Sequence, residues 1–489
     1  MRPTAPVRPA APVRTSTRVR ASTRVRTSSP ARTAAPTRPV TRVLLAAALT
    51  AAALAGPLTA CGAPGGDPDT VRVVYQRSTD NKYRILDDYL TGVKRQFERE
   101  HPGRRMELVP VQAAQDDYAV KVQQMMRSPR TAPDLVREDT SLIDSDVASG
   151  YLRPLDDKLA GWQDWKRYLP AAKALVTAED GRTYGVPDGT DTRGLWFNKE
   201  IFARAGLPAD WQPRTWDDVL AAARAVRERV PGVIPFHLYT GKGPGEAAAM
   251  QGFEMLLYGT GRDPLYDPAR KKWLTGRQGL VDALEFVRTV YSEKLGPDPT
   301  DALDPNVSTR VTAEWLPKGK LAIALDGNWL GKNWQPDGSR PWPAWSRVLG
   351  RAAFPTQHGA APGRVSLSGG WAWAVAARSR KADLAWQVVE TLQTRSNALD
   401  WTVRDGQIAV RDDVAADARY RTYVPGIDFF TGLVAVTRHR PALPVYPQVS
   451  SALQEAMEEV ATGDAAPARA ARDYDEELRS FADTAGDGR

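Results

Sequence analysis

The chain has 489 residues, of which 42% are hydrophobic and 25% charged, with one cysteine and a net charge of +8. That length holds two or three cores, and the charged fraction argues against disorder over most of it. One cysteine excludes a disulfide framework and a multi-cysteine metal site, and four histidines (His101, His237, His358, His439), none adjacent in sequence, make a histidine metal centre a poor expectation.

The positive charge is not evenly spread. Residues 1–60 contain ten arginines and no Lys, Asp or Glu, which leaves 56 basic and 58 acidic side chains in residues 61–489, a net of −2. A nucleic-acid partner is therefore not expected of the body. VLLAAALTAAALAG (Val43–Gly56) is too short to span a bilayer but suits the apolar core of a secretory signal. Leu58-Thr59-Ala60-Cys61-Gly62 resembles a bacterial lipobox, which implies lipidation of Cys61 and removal of residues 1–60. GAPGGDPD, residues 62–69, reads as a flexible tether.

From there the spacing predicts alternating strands and helices. Val71–Tyr75 is β-branched and short, and Ile85, Leu86, Tyr89, Leu90, Val93 and Phe97 recur at helical spacing before His101-Pro102-Gly103 stops the helix. Met106–Val111 is a second strand, and Tyr118, Val122, Met125 and Met126 mark a second helix. Ala132–Val136 is a third strand. Such a β-α-β-α-β run builds a parallel sheet through right-handed crossovers, with ligands beyond the strands' carboxyl ends. Gln76–Asn81, Gln112 and Glu138-Asp139-Thr140 then share one rim. Further on, Gly189–Asn198 is predicted as one strand carrying Asp191, Arg193 and Trp196. Thr215 caps a helix, Lys320–Leu325 and Trp371–Ala377 are strands, and Ala382–Gln393 and Ser450–Val460 are helices. The fold class is α/β throughout.

Catalytic signatures are absent: there is no H-E-x-x-H, phosphate-binding loop, dinucleotide fingerprint or nucleophile elbow. Gly241–Gly245 is glycine-rich but lacks the Lys-Ser/Thr ending of a phosphate cradle. No cofactor is expected. Fifteen tryptophans stand out, several beside glycine, as in Gly327-Asn328-Trp329 and Gly369-Gly370-Trp371. Indole faces stack on sugar rings while Asp, Asn and Arg bind hydroxyls; core packing is the competing use of each, and Asp191 could equally pair with Arg193.

The motif order resembles the extracellular solute-binding family 1 of bacterial ABC importers. The matching stretches include APDLV (Ala132–Val136), SGYLRPLDD (Ser149–Asp157), GRTYGVPDGTDTRGLWFNKEIFARAGLP (Gly181–Pro208), KGKLAIALDGNW (Lys318–Trp329), GGWAWAV (Gly369–Val375) and RPALPVYPQVSSALQEAM (Arg440–Met457). The resemblance implies a two-lobed periplasmic-binding-protein-like fold of type II, with a hinge crossed more than once. Lobe one would be residues 70–187 plus 372–417, and lobe two 188–371 plus 418–489. It further implies a ligand cleft lined by Asp80, Asn81, Glu138, Asp139, Asp191 and Trp329, to which Arg193, Gly370 and Trp371 are added. The ligand would be a sugar or oligosaccharide, delivered by a monomeric, lipid-anchored receptor on the outer face of the membrane to a permease. Arg137-Glu138-Asp139 is more charged than many relatives show, which admits an amino-sugar. A surface-anchored carbohydrate-active enzyme or a sugar sensor are the other readings.

Overall fold

The computed structural model describes residues 67–79, 84–113, 115–261 and 264–486. The leader, Cys61 and most of the tether lie outside these residues, as do Asp80 and Asn81. No helix among the described residues is long and apolar enough to cross a membrane.

Nine strands define two sheets: β1 (Thr70–Arg77), β2 (Arg105–Gln112), β3 (Leu135–Asp139), β4 (Val186–Thr190), β5 (Arg193–Asn198), β6 (Ile234–His237), β7 (Leu321–Gly327), β8 (Leu349–Ala352) and β9 (Gly370–Val375). The first sheet runs β2-β1-β3-β9-β4, and the second runs β8-β5-β7-β6. β1 pairs in parallel with β2 and β3, as the crossover spacing predicts, whereas β9 is antiparallel to both β3 and β4.

Alternation along β1 gives the first sheet two packed faces. Val71, Val73 and Tyr75 point into a core with Tyr89, Leu90, Val93 and Phe97 of the helix Ile85–Glu100. Val74 points the other way, to Tyr118, Val122 and Met126 of the helix Gln115–Arg127. A sheet buried on both sides needs apolar residues at successive positions, which is why β1 reads VRVVY and not as strict alternation. The second sheet carries the larger core, with Trp196, Trp334, Trp345 and Phe430 in ring contact.

Two predicted elements differ in detail. Gly189–Asn198 is not one strand: the chain leaves the first sheet at Thr190 and enters the second at Arg193. Thr192 between them is held by its own contacts, its N–H donating to Asn328 Oδ1 (3.0 Å) and its hydroxyl to the Phe430 carbonyl (2.9 Å). No ladder is available to a residue that bridges two sheets. The third strand starts at Leu135, not Ala132, because Pro133 has no N–H and Asp134 turns its side chain back to accept from the Arg72 N–H (2.9 Å) and from Ser379 (2.7 Å). The Thr215 cap is as predicted, a reciprocal box with Asp218.

The chain returns to the first sheet between Leu367, in a short strand Arg364–Leu367 that belongs to a small third sheet, and Gly370. Gly370 sits at φ 142°, and a Cβ there would lie 2.4 Å from the Gly189 carbonyl oxygen, so only glycine lets β9 close on β4 at this point.

Candidate functional site

The carboxyl ends of β3 and β4, the start of β9 and the sheet change at Asp191 converge on one region facing the second sheet's loops. Three cavities open there, of about 530, 420 and 330 Å³, and Trp371 lines all three. Trp371 is half-buried. One side of its ring meets the Arg137 guanidinium at 4.8 Å, and Trp401 holds the same guanidinium at 4.8 Å from its own ring. Arg137 is buried and fixed by Asp188, with Nε to Oδ2 at 2.6 Å. A desolvated guanidinium between two indoles is worth about 2 kcal/mol or more per ring face, which holds Trp371 in one orientation.

The 420 Å³ cavity holds the second sheet's contribution. Asp191, Arg193, Trp329, Gly370, Tyr239 and Met250 are among the residues that line it. Asp191 accepts from Arg193 and from the Gly369 N–H (2.9 Å). Arg193 lies 5.0 Å from the Trp329 ring centroid and donates to the Leu367 carbonyl (3.2 Å), while its Nε has no hydrogen-bonding partner among the described residues. Trp329 rests on Gly327, where a Cβ would come within 2.1 Å of the ring; any larger residue there displaces the indole. Met250 and Gln251 are presented by a π-helical turn, Ala248–Phe253, a widened turn found often at functional sites.

Arg440 joins the two halves. Its Nη2 is 3.4 Å from Asp139 at the end of β3, and its Nη1 is 2.9 Å from Glu246. Glu246 also accepts from Ser450, and lines two of the cavities together with Arg440 and Asp139. The Tyr446 hydroxyl lies 2.9 Å from Glu246 Oε1 and 2.7 Å from Glu254 Oε1. One hydroxyl proton cannot serve both carboxylates. A protonated Glu254 donating to the hydroxyl, which in turn donates to Glu246, satisfies the chain, and burial accordingly pushes Glu254 up to about 8, with the Glu246 charge adding to it.

That shift has a sign for stability. Glu254 binds its proton more tightly folded than unfolded, so its contribution is complete below about 4.5 and is lost as pH rises through about 8. Burial likewise raises Asp146 and Asp326 to about 6, so their share is lost at lower pH. The melting temperature is expected to fall across this range. Glu254→Gln should flatten the fall above about pH 6 and melt higher than the wild type at about pH 8. Thermal melts at several pH values check this, and parallel curves for the two proteins would contradict it.

Of the residues expected at the site, the structure brings Glu138, Asp139, Asp191, Arg193, Trp329, Gly370 and Trp371 around these cavities, which share lining residues. Glu138 is deeper than a rim residue, at 1% exposure, because alternation along β3 turns it toward Tyr118 while Arg137 faces Trp401. Asp191 pairs with Arg193. Trp334 and Trp345 are core. Arg137, expected in a charged rim with Glu138 and Asp139, is instead buried; Glu246, Arg440 and Tyr446 were not anticipated. Arg440 and Tyr446 open the RPALPVYPQV stretch, and Glu246 follows directly on the Gly241–Gly245 run, so both places carried a signal.

Two sheets joined by a chain that passes between them more than once, with ligand-sized cavities at the junction, define a two-lobed binding-protein fold. Solved structures share it. A solute-binding protein of an ABC transporter from Thermotoga lettingae, bound with alpha-D-tagatose, is 22% identical, with 84% of this chain and 99% of that one covered at a TM-score of 0.66. The GacH receptor of Streptomyces glaucescens, solved unliganded and with acarbose, is 23% identical, with 84% and 97% covered at a TM-score of 0.68. In sequence, a Brucella abortus protein described only as a binding protein is 23% identical over 386 residues, 78% of this chain and 86% of that one. The family model for bacterial extracellular solute-binding protein matches residues 83–398, and the chain belongs to that family.

Proposed function

We propose that this protein captures a saccharide between its two lobes and hands it to the membrane permease of an ABC importer. The observation that carries the reading is the junction itself: two half-buried indoles, Trp371 and Trp329, stand among Asp139, Asp191, Glu246, Arg193 and Arg440. Apolar ring faces edged by directed polar groups match the two surfaces of a pyranose. The names of the similar structures, one with tagatose and one with acarbose, support it.

The lobes divide where the chain changes sheet, and ligand contacts completed only when both lobes touch it favour the closed form. Cys61 is acylated in this reading, and the tether after it keeps the receptor near its permease on the extracytoplasmic face. Cys61→Ala should release the protein into the medium or the soluble fraction; membrane retention by the variant would remove the lipid anchor from the account.

Intrinsic tryptophan fluorescence titrated with a panel of mono- and oligosaccharides tests the main reading. A saturable change with at least one saccharide is expected. If none shifts emission or melting temperature, the ligand is not a saccharide.

A further inference from the structure

The largest of the three cavities has a charge balance that a neutral sugar does not call for. Glu138, Gln123 and Tyr118 line it from the first sheet's side, and Glu246 and Arg440 from the second's, with Asp139 between them. Three carboxyls thus face one guanidinium. Arg440 is already engaged by Asp139 and Glu246. Glu138 is left over: it is buried, and its Oε2 has no hydrogen-bonding partner among the described residues. Behind it lies a second buried carboxyl, Asp146, which has Gln123 as donor to one oxygen (2.8 Å) and none to the other.

A buried carboxyl with too few donors is costly, and two together more so: the Asp139 N–H is the backbone donor to Glu138, and one oxygen of each group is left over. Loss of water, then Asp146, then Asp139, push Glu138 well above the usual carboxylate range. The groups facing it are Asp146 and Tyr118 from the neighbouring helices, Asp139 from its own strand, and Glu246 and Arg440 across the cavity. None of them brings Glu138 a cation of its own.

We propose that this cavity is an amine subsite, in which the ammonium of an aminosugar unit lies against Glu138 while an adjoining ring uses Trp371. The proposal rests on the saccharide reading above and narrows it to amine-bearing saccharides. An ammonium brings three donors and the charge that the carboxyl group lacks. A hydroxyl supplies a hydrogen bond but no charge. A phosphorylated or uronic-acid sugar adds an anion to three carboxyls and is disfavoured. The arriving positive charge favours the ionised carboxyl, so Glu138 gives its proton up to solvent, the ammonium keeps its own three, and binding releases a proton.

Isothermal titration of the intact protein, in two buffers of different ionisation enthalpy, decides the matter. The probes are a glucosamine disaccharide with free amines, its N-acetylated form, and a neutral glucose disaccharide of the same linkage. The free-amine sugar is expected to bind about tenfold tighter than either of the others. Its heat is expected to depend on the buffer, which reports proton release without any variant. In Glu138→Gln the ratio of amine to neutral affinity should fall to about one, and the buffer dependence should vanish. Equal affinity of the wild type for all three sugars, or an amine preference that survives in Glu138→Gln, overturns the subsite and leaves the saccharide reading standing. Failure of all three to bind overturns the subsite, and the saccharide reading falls with it only when the wider saccharide panel fails too.

Discussion

Arg440→Ala is expected to cost about 3–5 kcal/mol of stability and to abolish ligand capture. The side chain is 7% exposed and lies between Asp139 at the tip of the first sheet and Glu246 on the other side of the junction. Its removal leaves two carboxylates facing each other with no cation, and a third carboxyl, Glu254, behind the Tyr446 bridge. The cost is that of stranded charge, more than of a lost bond. Arg440→Lys keeps the charge but not the fork that reaches both partners, so it should lose less stability than alanine while still weakening binding. Urea unfolding and calorimetric titration measure the two effects. Near-wild-type stability of Arg440→Ala would show that Asp139 and Glu246 are solvated or otherwise paired, and would remove Arg440 from the centre of the site.

Trp371→Ala is expected to weaken saccharide binding by about 10–100-fold while leaving the fold in place. Trp371 lines all three cavities, so its ring faces whichever of them the ligand occupies. Its loss should be tolerated structurally because it is half-buried at a strand end, and Arg137 keeps Asp188 and Trp401. Trp329 lines one cavity, so Trp329→Ala should cost less unless the ligand is small enough to sit there alone. Trp371→Phe retains an apolar face and should recover part of the loss. The comparison is made by calorimetry, because fluorescence would lose one of its own reporters. Unchanged affinity in Trp371→Ala would place the ligand elsewhere.

What the sequence shows of this fold is what local spacing records. The β-α-β-α-β run from Thr70 to Asp139 is legible because strand and helix each bury a face at a fixed period, and its parallel order follows from crossover length. The sheet change at Asp191-Thr192 is not legible, since no glycine or proline marks it: the residues read as continuous strand and are separated only by contacts to Asn328 and Phe430, far along the chain.

The site divides in the same way. A glycine one or two residues before a tryptophan signals a close approach, which is that of the Trp329 indole at Gly327 and of the Gly189 backbone at Gly370. Trp334 and Trp345 have no glycine beside them, and their rings face the core. The Arg440–Glu246 pair spans 194 residues and the Arg440–Asp139 pair 301, so no window of sequence contains either. Even Glu138, anticipated as a rim carboxylate, owes its depth to which way β3 faces, a property of register.

Capture in the proposed function is closure of the two lobes on a saccharide held at the Trp371 junction. Small-angle scattering of the protein, free and saturated with a saccharide shown to bind, tests it most directly. The radius of gyration is expected to fall on saturation, and the fall is expected to be lost in Trp371→Ala at the same ligand concentration. Saturable binding to the wild type with no change in the scattering curve would contradict it.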